Sequence, residues 1–215
     1  MSDSDPVAIF GGTFDPVHQG HLRAAESARD ALGLSEIRLL PAGTPPHRPA
    51  PVASAAQRES MLRLALGSRP GLVLDDRELR RPGPSYMVDT LCSLSEKYPG
   101  RPLWLLLGED AARGLEQWHR WEVLLSLCQL VILTRNGAGD GDDRPFPAWW
   151  DERRVSDVKS LRRGRAGQLL ECPIDSLPIS SSRIRDLLSR RGSVRFLLPD
   201  PVLEFIERER LYSPA

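Results

Sequence analysis

Two histidines three residues apart, His18 and His21, follow a glycine pair and a short polar-aromatic step, Gly11-Gly12-Thr13-Phe14. Glycines let the backbone approach a ligand closely, and the free amides at the start of a helix carry partial positive charge. Two imidazoles at i and i+3 in a first helical turn share one face and reach the same anion. That combination suits phosphate, and the stretch is read as a nucleotide triphosphate site. A plain turn, a solvated helix start or half of a metal site are the ordinary alternatives for the two features taken separately. No Cys or carboxylate stands at zinc-ligand spacing from the pair, and neither G-x-x-x-x-G-K-[ST] nor G-x-G-x-x-G occurs in the stretch.

A second set of anion ligands lies near the other end, in Ile179-Ser180-Ser181-Ser182-Arg183-Ile184-Arg185. The hydroxyls suit a helix N-cap, and the Arg185 guanidinium suits two phosphate oxygens at once. Between the two sets, Gly108-Glu109-Asp110 offers a carboxylate, Asp110, to a ribose or to the cap of the next helix. Trp118 offers an indole to a heteroaromatic ring or to the core, and the proline-stiffened loop Pro45-Pro46-His47-Arg48-Pro49 presents Arg48.

The elements that must position these residues follow from periodicity. Val7–Phe10 is a short buried strand running into a helix with Leu22, Ala25, Ala28 and Leu32 on one side, ended by Gly33. Strands are expected at residues 37–40, 72–74, 103–107, 130–133 and 169–172, that at 103–107 to be buried on both faces of a parallel sheet. Helices are expected after Ser54, from Pro84-Ser85, after Ser180 and from Pro199-Asp200-Pro201. The charged run Asp75–Arg81 reads as a solvated edge, and Ala138–Trp150 as a long loop. The alternation implies a Rossmann-like doubly wound parallel sheet with a short C-terminal helical extension, one domain over 1–215 whose helical part from about 180 carries the Ser-Arg motif.

Composition bounds the partners. The 29 basic and 29 acidic residues cancel, so no long-range field draws the chain to nucleic acid or an anionic membrane. Arg153–Arg165 holds six basic side chains but no aromatics, which reads as a solvated face. Three scattered cysteines, an acidic N-terminus and the absence of any apolar run near 20 residues fit a soluble cytoplasmic protein.

The two end motifs together resemble the adenylyltransferase branch of the nucleotidyltransferase superfamily. Pro45-Pro46-His47-Arg48, Arg80 with Pro84-Ser85-Tyr86, Gly108-Glu109-Asp110, Trp118 and Leu197–Val202 are similar, more narrowly, to the bacterial nicotinate-nucleotide adenylyltransferase family. That resemblance implies transfer of AMP from ATP, with Mg²⁺ arriving mainly on ATP oxygens, to nicotinate mononucleotide. It implies catalysis by His18, His21 and Arg185, with no protein ligand to metal. ATP would be bound by Gly11, Gly12, Thr13, Phe14, Gly108, Asp110, Ile179, Ser180 and Ser181, and the acceptor by Arg48, Tyr86, Met87 and Trp118. The chain departs from the family at Met87, where a Thr is usual, at His119, often Tyr, and at Asn136, commonly Pro. A nicotinamide-mononucleotide or phosphopantetheine enzyme, or a nucleotide-binding regulatory module without chemistry, are the competing readings.

Overall fold

The computed structural model describes residues 5–45, 49–68, 70–135 and 145–213. In chain order these form β1 (Val7–Gly12), α1 (Gln19–Leu32), β2 (Ile37–Pro41), α2 (Ala55–Leu66), β3 (Leu72–Leu74), α3 (Arg77–Arg80) and α4 (Met87–Lys97). Then come β4 (Leu103–Gly108), α5 (Glu109–Arg113), a 3₁₀ turn at Leu115–Gln117, α6 (Trp121–Leu127), β5 (Gln129–Arg135), α7 (Trp150–Arg153) and α8 (Val158–Arg163). The chain closes with β6 (Leu169–Ile174), α9 (Ser181–Ser189) and α10 (Asp200–Arg208).

All six strands are parallel in the order β3-β2-β1-β4-β5-β6. The chain winds outward from β1 to β3, then returns to start again at β4 on the other flank. The crevice beyond the carboxyl ends of β1 and β4 is therefore the switch point at which open α/β sheets bind ligands. Phe10 lies level with Leu106, and two residues further on each strand ends, at Gly12 and Gly108.

Strand β4 shows why its run is apolar without a break. Trp104 and Leu106 enter the core under α1, α2 and α10, whereas Leu103, Leu105 and Leu107 enter the core under α4, α5 and α6. Both faces are covered, so alternation with polar residues would place polar groups in a core. The C-terminal helix α10 starts on prolines and packs Val202, Phe205 and Ile206 into the first core beside Met61 and Leu62 of α2. Helix α1 ends at Gly33, in the left-handed region at φ 61°. Among the described residues no helix is long and apolar enough to cross a membrane.

Three local expectations are corrected. The third long helix starts at Met87, not at Pro84-Ser85, because Ser85 pairs with another loop: its N–H donates to the Thr44 carbonyl and its Oγ accepts from the Gly43 and Thr44 N–H groups. The run Asp75–Arg81 is a solvated edge only in part, with Arg80 exposed. Asp75 and Glu78 are buried, the first paired with Arg77 and the second accepting from the Thr90 hydroxyl, so each buried carboxylate has a protein partner. The expected loop ending at Trp150 has its first part outside the described residues, but its end is ordered: Phe146 stacks on Trp150, which is buried and begins α7. Of the basic run, Arg162 donates to Asp5 and to the Leu32 and Gly33 carbonyls, and Arg154 pairs with Asp151 and Glu171.

Candidate functional site

The turn after β1 is built around a buried ring. Phe14 has φ 50°, in the left-handed region that side chains seldom adopt, and is 1% exposed, edge-on to both Phe10 and His21. A Cβ on Gly12 would lie 3.0 Å from this ring, and one on Gly11 would lie 3.3 Å from Met87 Cε. On that side the space left by the glycines is thus filled by the protein's own side chains. Thr13 stays partly exposed at the mouth of the turn.

His18 is the N-cap of α1 and His21 its third residue. The His21 N–H donates to His18 Nδ1, and the His18 N–H donates to His21 Nδ1, both at 3.3 Å, a capping box made of two imidazoles. The rings stack at 3.6 Å between centroids. Since each Nδ1 accepts, each neutral ring carries its proton on Nε2 and presents an N–H donor there. Burial lowers the His18 pKa to about 4, and burial with the neighbouring ring brings His21 well below its ordinary 6.5. At neutral pH the pair is therefore a set of uncharged donors. A Cβ on Gly20 would meet His18 Nδ1 at 3.0 Å and the Ile179 carbonyl at 3.3 Å, so the pair lies tight under the approach to α9.

The start of α9 is bound to that same turn. Ser180 caps the helix, its Oγ accepting from the Arg183 N–H. The Ser181 hydroxyl donates to the Pro16 carbonyl at 2.9 Å, so its proton ties the two loops together. Arg185 donates through Nη1 to the Asp15 carbonyl at 2.6 Å and through Nη2 to Ser182 Oγ at 3.3 Å, with its Nη1 3.9 Å from Asp15 Oδ2. The motifs from the two ends of the chain are one structure.

On the other side of the switch point, Tyr86 caps α4 without a side-chain bond and stacks on His119 at 4.1 Å. Met87 and Trp118 are partly buried against the second core. Gly108 and Asp110 are exposed, and the N-cap of α5 is Gly108 with no side-chain cap, so Asp110 does not cap that helix. Arg48 lies outside the described residues.

Three organising residues have no role in the sequence reading. Asp15, 3% exposed, accepts from the Val52 and Ala53 N–H groups and from the Tyr212 hydroxyl. Arg58, 1% exposed, donates to the carbonyls of Thr13, Ala42, Gly43 and Ala53, joining the turn after β1 to the loop after β2. Its signal was present: Arg58 falls on the same helix face as Met61, Leu62 and Leu66, a cation within an apolar stripe. Tyr212 left none, being 197 residues from its partner.

A doubly wound parallel sheet with a histidine-capped first helix at its switch point defines the class, and the chain is a nucleotidyltransferase: the cytidylyltransferase-like family model matches residues 9–187. It is 44% identical over 213 residues to an Aeromonas hydrophila protein named "Probable nicotinate-nucleotide adenylyltransferase", covering 98% of both chains. With a protein of the same name from Methylococcus capsulatus the identity is 45% over 208 residues, covering 96% of this chain and 99% of the other. The chain belongs to the nicotinate-nucleotide adenylyltransferase family. Its fold is shared with the Plasmodium falciparum nicotinic acid mononucleotide adenylyltransferase complexed with NaAD, at TM-score 0.73 and 18% identity over 97% of each chain. The same Plasmodium protein complexed with APC gives a TM-score of 0.71 at the same identity and coverage.

Proposed function

We propose that this enzyme transfers AMP from ATP to nicotinate mononucleotide, giving deamido-NAD and pyrophosphate as a step of NAD biosynthesis in the cytoplasm, with one domain over 1–215 carrying the whole reaction. An oxygen of the mononucleotide 5′-phosphate attacks the α-phosphorus of ATP in line. A P–O bond forms there as the α–β bridging bond breaks, and pyrophosphate leaves with the electron pair. No protein nucleophile is needed, so alignment and charge stabilisation supply the catalysis. The observation that carries the reading is the junction of the stacked His18–His21 pair with Arg185 on one turn, Asp15-Pro16.

In this reading the two Nε2–H groups donate to the ATP phosphates and Arg185 offsets the charge that develops on the departing pyrophosphate. The Ser180 turn and the amides after Gly11 line the phosphate path. Asp110 and Gly108 take the adenosine side, and Arg48, Tyr86, Met87 and Trp118 the mononucleotide. Mg²⁺ enters as part of the MgATP substrate, held by phosphate oxygens and water. Both histidine Nδ1 atoms already accept N–H groups, and Asp15 already serves three donors, which fits this mode of entry.

The test is pyrophosphate release from MgATP. Release that requires added nicotinate mononucleotide and greatly exceeds that with the nicotinamide form is expected. Equal rates with both would overturn the acceptor assignment, and no release with either would favour a nucleotide-binding regulatory module.

A further inference from the structure

Asp15 is the point where four distant parts of the chain meet. Its backbone carbonyl accepts from Arg185 of α9, its Oδ2 from the Val52 N–H at 2.8 Å, and its Oδ1 from the Ala53 N–H at 3.1 Å and the Tyr212 hydroxyl at 2.6 Å. A buried carboxylate needs every one of its lone pairs served, and loss of one donor lets it turn toward the nearest alternative. The nearest cation is Arg185, whose Nη1 is 3.9 Å from Oδ2.

The C-terminal turn is shaped to deliver the hydroxyl. Helix α10 ends at Arg208, and Arg210 and Tyr212 both lie in the left-handed region, at φ 51° and 60°. Side-chain-bearing residues occupy that region at a cost and stay there when their surroundings fix them. The Leu211 N–H closes the turn on the Ile206 carbonyl, and Tyr212 is 8% exposed. Phenylalanine would fill the same volume, so packing alone does not account for an oxygen set 2.6 Å from a carboxylate. Burial and the Asp15 carboxylate push the phenol well above its ordinary range, so it remains a donor at every working pH.

We propose that Tyr212 is a positioning residue of the triphosphate clamp: its hydroxyl satisfies Asp15, and so keeps Arg185 on the Asp15 carbonyl and available to phosphate oxygens instead of drawn onto the Asp15 carboxylate. The C-terminal turn thereby acts on the phosphate site without touching substrate. This rests on the reading of Arg185 as a phosphate ligand.

MgATP affinity, measured by calorimetry without acceptor on the full chain, tests it through a double-mutant cycle. Tyr212→Phe is expected to weaken MgATP about fivefold, and Arg185→Lys about tenfold or more. In the Arg185→Lys background, Tyr212→Phe should cost less than about twofold, because its route is already cut. A Tyr212→Phe affinity equal to wild type, or losses that multiply, would overturn the inference, since a general loosening of the fold is not coupled to one side chain. A readout on the unaltered chain stands beside it if the variant does not stay folded. MgATP should slow hydrogen exchange at the Val52, Ala53 and Leu211 amides, and unchanged exchange there also overturns it. Wild-type chain that binds no MgATP removes both this inference and the clamp. Chain that binds MgATP yet releases no pyrophosphate with the acceptor removes only the adenylyl-transfer reading.

Discussion

The imidazoles of His18 and His21 lie 3.6 Å apart with their planes 22° from parallel, too close and too dry for both to carry charge. The folded His18 pKa of about 4 stands below the 6.5 of an unfolded histidine, so the unfolded chain binds the proton first as pH falls. The stability due to a neutral His18 is therefore complete above about pH 6.5 and is lost as pH falls from there toward 4. In urea unfolding, wild type should lose up to about 2 kcal/mol more than His18→Asn between pH 7 and pH 5. Identical pH slopes for the two proteins would show that the ring is not held neutral by the fold.

His18 does two jobs that one substitution separates. Its Nδ1 caps α1, and its Nε2–H is the proposed phosphate donor. Asn supplies a capping oxygen but no donor at the Nε2 position, whereas Ala supplies neither. His18→Asn should unfold within about 0.5 kcal/mol of wild type at pH 7, and His18→Ala about 1 kcal/mol lower. Both should lose at least about a hundredfold in turnover, the scale of one transition-state hydrogen-bond donor. Turnover in His18→Asn near the wild-type rate would leave His18 a cap alone.

Arg58 is a buried cation whose partners are all backbone carbonyls: Thr13, Ala42, Gly43 and Ala53. Its contribution lies in the four carbonyls it serves at once. Arg58→Met keeps the volume but strands those carbonyls, and should cost about 3–5 kcal/mol. Arg58→Lys keeps a charge but not the planar fork, and should recover less than half of that loss. A Met variant as stable as wild type in chemical unfolding would mean that the two loops hold their shapes without the guanidinium.

These cases mark what the chain discloses before it folds. The β4 run and the capping residues Ser54, Ser180 and Gly33 act within one element, where period and local geometry decide the outcome, and the sheet follows from their alternation. The histidine pair and the Ser-Arg turn are compact motifs, so each stands out within a few residues, and the fold joins them through Pro16 and Asp15. What escaped is what depends on remote partners. Ser85 would open a helix on its own, but Thr44 and Gly43 claim its backbone and hydroxyl from 41 and 42 residues away. Asp75–Arg81 looks solvated by composition, yet Asp75 and Glu78 are buried against Arg77 and Thr90 while Arg80 stays exposed. Tyr212 resembles any C-terminal aromatic until Asp15 is placed opposite it.

Gly43 offers the last test, because it is where the loop after β2 crosses the segment before α4. A Cβ on Gly43 would lie 2.4 Å from the Glu78 carbonyl oxygen and 3.0 Å from Ser85 Oγ, and the first of these is backbone that cannot swing aside. The same residue donates its N–H to Ser85 and accepts from Arg58, so relief by moving the loop breaks one bond or the other. Gly43→Ala is accordingly expected to cost about 1–3 kcal/mol, as overpacking does in a close-packed interior. It should also raise the KM for the mononucleotide more than that for ATP, since Tyr86 follows Ser85 directly and the displaced loop leads to Arg48. Gly33→Ala is the control: a Cβ there meets nothing within 4 Å, and only its φ of 61° opposes the change, by about 1 kcal/mol. If Gly43→Ala costs no more than Gly33→Ala in thermal unfolding and leaves both KM values alone, the crossing of these two segments does not shape the acceptor side of the site.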